Sequence, residues 1–222
     1  MKHKNVIKLA AALIATTMIA TPIAAAYAAP GDRDCGPEWS MFEGGPGKGK
    51  FDQKRGDHGE HRKGDKHDRK AVERVAPLTP AEARTLVDAM LLKTHTVDFK
   101  TGDALMAEEP GKIDVLLVNA KGDVVEVIKF DAKTGRMERE NRRNLCKILP
   151  RPDKAERFDN KFNAEQMHIL AEAMVIRFGK GELKLGDVSE TPRGTYHATV
   201  TNQAGDIVRE MELSSVTGRP LD

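Results

Sequence analysis

Three histidines, His58, His61 and His67, alternate with Asp57, Glu60, Asp65 and Asp68 in one short stretch. Imidazole and carboxylate donors together suit zinc, copper or nickel. Tight binding also needs ligands held in place by outer partners, and this run is too polar to build such a frame. It offers a weak, adaptable metal site or simply a solvated, charge-balanced tail. Cys35 and Cys146 are the two cysteines of the chain and do not form a C-x-x-C pair. Gly44-Gly45-Pro46-Gly47-Lys48-Gly49-Lys50 approaches a phosphate-binding loop, but Phe51 stands where a Ser or Thr would reach magnesium, and no strand or helix flanks it. No G-x-S-x-G or H-E-x-x-H occurs, and no nucleophile stands at a recognisable spacing from a base. The expectation is a chain that is not an enzyme and has no catalytic residues.

The 222 residues carry 36 Lys+Arg against 34 Asp+Glu, with 39% hydrophobic and 5% aromatic residues, enough for one or two small domains and no large enzyme. Residues 1–28 open with Lys2, Lys4 and Lys8, continue as an apolar run from Leu9 to Ala20, and end in Ala26-Tyr27-Ala28. That is the layout of a secretory signal peptide. The run is shorter than the about 20 apolar residues of a bilayer span, so cleavage before Ala29 predicts a periplasmic or secreted protein with no membrane insertion. Losing those three lysines leaves 33 basic residues against 34 acidic ones. Nucleic-acid binding is then disfavoured, because it needs surplus Lys and Arg to displace counterions from phosphates. Outside the cytoplasm thiols tend to oxidise. Cys35 and Cys146 become candidates for a disulfide, which by closing a long loop would contribute about 4–5 kcal/mol; two free thiols or a soft-metal pair are the alternatives.

Residues 29–77 are rich in Gly and mixed charge and predict a disordered tail that buries too little to fold alone. Beyond it the chain matches itself. Sliding residues 78–103 by 84 positions, and 113–137 by 83, gives 13 identities over 51 positions, which points to a duplication. Among them are Leu86/Leu170, Ala89/Ala173, Met90/Met174, Gly102/Gly186, Gly122/Gly205, Thr134/Thr217, Gly135/Gly218 and Arg136/Arg219. The histidines His95, His168 and His197 face Gly179, Arg84 and Asp114 in this alignment, so no metal site is duplicated with the units.

Each unit reads alike. Thr79-Pro80-Ala81-Glu82 is a capping box with proline in the first helical turn, and Ala83, Leu86, Val87, Met90 and Leu91 form an apolar stripe at helical spacing. Met167, Leu170, Ala171, Met174 and Val175 occupy equivalent places. After each helix the spacing predicts a hairpin, Ile113–Val118 with Val124–Phe130 and Tyr196–Thr201 with Ile207–Leu213, each joined through Asn-x-x-Gly-Asp. A turn closes each unit, through Asp131, Thr134 and Gly135 or through Ser214, Thr217 and Gly218. Residues 142–157, with Pro150 and Pro152, read as a linker. Between Arg136 and Arg157 lie eight basic residues against four acidic ones, a solvated run or a face for anionic lipid or an acidic partner.

A short helix, a hairpin with Gly122 in its turn, and a strand ending in Asp131-Ala132-Lys133-Thr134-Gly135 together resemble the PepSY family, named for the propeptides of secreted thermolysin-like peptidases and found also in stand-alone exported proteins. The resemblance covers residues 78–137 and, more weakly, 162–220, where Ser214 replaces the Asp. It implies a binding role without catalytic residues. No peptidase domain follows before Asp222, so the expectation is not a plain propeptide. The organisation expected is signal peptide 1–28, tail 29–77, unit one 78–141, linker 142–157 and unit two 158–222. The fold expected is α+β, two duplicated units each with one helix on a short antiparallel sheet. The function expected is an adaptor or peptidase-inhibitor-like module that binds an envelope protein or peptidase and needs no cofactor. The alternative is a periplasmic metal-binding or metal-stress protein working through weak zinc, copper or nickel binding by the His-rich tail.

Overall fold

A computed structural model describes residues 72–149 and 154–221. The expected signal peptide and all but the last residues of the expected tail lie outside them. In chain order come α1 (Pro80–Lys93), β1 (Phe99–Met106), β2 (Lys112–Asn119), β3 (Val124–Asp131), β4 (Arg136–Met137), α2 (Arg139–Ile148), α3 (Lys154–Asp159), α4 (Ala164–Gly179), β5 (Leu183–Glu190), β6 (Tyr196–Asn202) and β7 (Ile207–Leu213). The fold is α+β. One antiparallel sheet has the order β1-β2-β3-β4, and a second the order β5-β6-β7.

The first helix begins as its sequence predicts. The Thr79 hydroxyl accepts from the Glu82 amide at 3.2 Å, and the Glu82 carboxylate accepts from the Thr79 amide at 2.8 Å. Two of the free donors at the helix start are thereby satisfied. Asn163 and Gln166 repeat the box for α4, at 2.9 and 3.0 Å. The stripes then bury. Leu86, Val87 and Met90 of α1 and Met167, Leu170 and Ala171 of α4 are almost wholly enclosed. Each helix packs on its own sheet and on the other helix, so both units share one apolar core.

Along β2, Ile113, Val115 and Leu117 are buried, and along β6 Tyr196, Ala198 and Val200 are, the alternation that a sheet covered on one face produces. The ladders break at matching places. Register shifts fall between Thr101 and Ala104 and between Leu185 and Val188, and again between Leu117 and Val118 and between Val200 and Thr201. The internal repeat thus extends to backbone irregularities as well as side chains.

Three features depart from the sequence reading. First, β1 and β5 precede the expected hairpins and make each sheet one strand larger. Their bulges hold Gly102 and Gly186, where a Cβ would sit 3.2 Å from Leu116 Cβ or overlap Thr199 Oγ1. Second, the expected linker does not begin at Arg142, because Arg139–Ile148 is helical, with Leu145 and then Leu149 buried in the core. Third, the last tail residues form a strap across both units. The Arg74 amide donates to the Lys133 carbonyl at 2.7 Å, and the Val75 amide to the Lys180 carbonyl at 3.0 Å. The Arg74 guanidinium, its side chain only 3% exposed, donates to the Ile176 carbonyl of α4 and, at 2.9 Å, to Glu82 of α1.

Candidate functional site

The hairpin tips are built by asparagine. Asn119 Oδ1 accepts from the Lys121 and Asp123 amides at 2.9 Å each, while its Nδ2 donates to Asp123 Oδ2 at 3.0 Å. Asn202 reproduces the set with Ala204 and Asp206 at the same lengths. Gly122 and Gly205 have φ of +88° and +92°, a region that a Cβ disfavours. A Cβ there would nevertheless meet nothing within 4 Å, so these glycines serve the backbone and leave the tips open.

The closing turns lie against other elements. Asp131 Oδ1 accepts from the Thr134 amide and hydroxyl, each at 2.8 Å, and Ser214 Oγ accepts from the Val216 and Thr217 amides at 3.2 Å. Serine therefore takes over the aspartate's role with longer bonds. Burial works to raise the Asp131 pKa, but the Thr134 bonds and the nearby Lys112 outweigh it, and the carboxyl sits below its ordinary value. Lys112 is itself held above its ordinary value, chiefly by its 3.0 Å bond to Glu138. A Cβ on Gly135 would press on the Arg74 side chain, and one on Gly218 on Leu170 and Phe162.

Where α1 meets α4, Ala89, Leu170, Ala173, Met174 and Phe178 line a recess of about 20 Å³ flanked by Lys93 and Arg177, room for about one water. Burial pulls the Lys93 ammonium down to about 8, with Arg219 adding to the effect. Arg177 is lowered to about 10 by burial and then by Arg136. Lys93 and Arg177 are equivalent in the repeat, as are Arg136 and Arg219. The closing turn of each unit thus sets an arginine near the last helical turn of the other.

The strand edges differ between the units. On β3 three outward groups are covered. Asn141 Oδ1 accepts from the Lys129 amide at 3.0 Å, its Nδ2 donates to the Val127 carbonyl at 2.7 Å, and the Glu138 amide donates to the Lys129 carbonyl at 2.9 Å. One asparagine stands in for a stretch of neighbouring strand. On β7, Glu212 and Glu210 occupy the places of Lys129 and Val127. The Leu221 amide donates to the Glu212 carbonyl at 2.8 Å, repeating Glu138, but among the described residues nothing repeats Asn141 at the Glu212 amide or the Glu210 carbonyl.

The structure places the sequence-predicted residues apart. Gly122 and Gly205 are at the tips, while Asp131, Thr134 and Gly135, with Thr217 and Gly218, are in the closing turns. Cys146 lies on α2, half-buried against the core, and is not a free thiol. Cys35, His58, His61 and His67 lie outside the described residues. His95 stacks on Phe162 with ring centroids 5.3 Å apart, His197 faces Glu210 at 3.5 Å, and His168 is exposed. Among the described residues no group of three or more His, Cys, Asp or Glu gathers closely enough to hold a metal ion, and no helix is long and apolar enough to cross a membrane. Sequence reasoning missed Arg74, Asn141 and the Lys93/Arg177 pair. The pair had a visible signal, a Lys aligned with an Arg at the end of each duplicated helix. No protein-family model, curated protein or solved structure matches this chain.

Proposed function

We propose that this chain is an exported, non-enzymatic binding module of the cell envelope that holds an extended segment of another envelope protein, a peptidase being the leading class. One observation carries the reading. The outward amide of Glu212 and carbonyl of Glu210 on β7 have no partner among the described residues, and an open edge hydrogen-bonds an extended chain without regard to its full sequence. Export is supported by the charged, apolar and small-residue layout of residues 1–28. The PepSY-like motifs, Asp131-x-x-Thr134-Gly135 above all, support the peptidase-related partner.

The test is affinity capture from envelope extract by the mature chain beginning at Ala29. Beside it runs a variant in which His58, His61 and His67 are all replaced by alanine, each with and without chelator. The expected result is one partner retained by both proteins and indifferent to chelator. Capture that requires the three histidines and disappears with chelator would replace this reading by the metal-binding one.

A further inference from the structure

We infer that the β7 edge is the docking strand and that its occupant is an extended, basic segment of a partner protein, added to the second sheet beside Glu210 and Glu212. This assignment rests on the binding-module reading and gives it a place and a ligand chemistry.

The edges are not equivalent. The β3 edge is closed by β4 and Asn141. The β1 and β5 edges carry a bulge at matching positions, and a bulge twists an edge away from further pairing. The β7 edge is covered only at its end, where Leu213 bridges Pro220 and the Glu212 carbonyl takes the Leu221 amide, and its own extra residue lies at Val208. From Arg209 to Glu212 the register with β6 is unbroken, and the Glu212 amide and Glu210 carbonyl have no partner among the described residues. The core beside it is also less complete. Ile128 of β3 is fully buried in a core that includes Leu145 and Leu149 of the α2 region, whereas its counterpart Met211 is only partly buried.

Charge selects the occupant. Where unit one has Val127 and Lys129, β7 presents Glu210 and Glu212 on the face away from the helices. Glu212 is held by Arg193 at 2.7 Å and by Thr195, but Glu210 is 62% exposed beside His197. Opposite charges directly across neighbouring strands stabilise the pairing, and like charges oppose it. A Lys or Arg at alternate positions of the added strand would therefore face these carboxylates, and an apolar residue between them would cover Met211. The same rule opposes a second copy. Antiparallel pairing of β7 with itself centred on Arg209, Glu210, Met211 or Glu212 sets Arg209 against Arg209, Glu210 against Glu210, Glu210 against Glu212, or Glu212 against Glu212.

The test uses the full mature chain and two labelled heptapeptides, one alternating Lys with Val and the other Glu with Val, followed by fluorescence anisotropy at low and moderate salt. Glu210→Pro removes an outward amide without touching the β6 ladder, and Glu210→Lys keeps the amide while reversing the charge. The expected result is binding of the lysine peptide, weakened by salt, about tenfold weaker for Glu210→Pro, with the preference turned toward the glutamate peptide in Glu210→Lys. The assignment is overturned if the lysine peptide is not preferred, if neither substitution alters the preference, or if sedimentation finds a dimer that Glu210→Pro dissolves. Should Glu210→Pro fail to fold by circular dichroism, Glu210→Lys alone decides. Envelope-partner capture that survives Glu210→Lys removes the β7 assignment and leaves the module reading intact, whereas loss of all capture by the unaltered chain strikes the module reading alone.

Discussion

At the scale of single residues, the two closing turns perform one task with different side chains. Asp131 binds the Thr134 amide and hydroxyl at 2.8 Å, and Ser214 binds two amides at 3.2 Å. The aspartate's carboxyl sits below its ordinary value, so its contribution is present above the unfolded pKa of about 3.9. That contribution is lost as pH falls through the lower folded value. Asp131→Ala is expected to cost about 1–2 kcal/mol at neutral pH and to flatten the acid limb of the stability curve, as measured by urea unfolding at pH 7 and pH 3. Ser214→Ala should cost less and leave that limb unchanged. The turn itself was legible in Asp-x-x-Thr-Gly and Ser-x-x-Thr-Gly, because these side chains bond their own backbone. The capping role of Asn163 with Gln166 follows the same local rule.

At the scale of elements, local patterning located α1, α4 and the inner hairpins but not the first strand of each sheet. The β1 and β5 strands contain Lys-x-Gly-Asp at a bulge and alternate poorly in burial, since a broken register moves side chains off a strict two-residue period. Helix α2 escaped notice for a related reason. It buries Asn141 and Leu145 amid a run of charge, and an asparagine in a charged run looks solvated until its strand is beside it. Asn141→Leu leaves the Lys129 amide and Val127 carbonyl without their described partners, and losing such bonds costs about 1–3 kcal/mol per stranded group. Hydrogen exchange should show the Lys129 amide lose protection, while the equivalent Asn202 and Asn119 turns remain unchanged.

At the scale of the whole molecule, the units are joined through the α1–α4 packing and the Arg74 strap. Arg74→Ala is expected to destabilise by about 2–4 kcal/mol, since it removes a buried charged donor from the Ile176 carbonyl and leaves the Glu82 carboxylate with the Thr79 amide as its remaining described partner. One cooperative melt at lower temperature would check it. The seam also has a pH signature. Lys93 titrates at about 8 in the folded chain against 10.5 unfolded, so between those values the unfolded chain binds more protons and stability rises with pH. Lys93→Met should raise stability at pH 7 and remove that slope in urea titrations from pH 7 to pH 10.

By itself the sequence determined the long helices α1 and α4, the Thr79 cap, the inner hairpins and the internal repeat, because each rests on contacts or dihedral preferences a few residues apart or on direct comparison of side chains. Only the tertiary structure decided that Asn141 closes one sheet edge while the equivalent groups on β7 lack a described partner. It alone set Arg74 across both units and brought Lys93 near Arg219. Those relations join residues far apart in the chain, and they depend on which backbone groups remain unpaired after the sheets have formed, a quantity with no local trace in side-chain order.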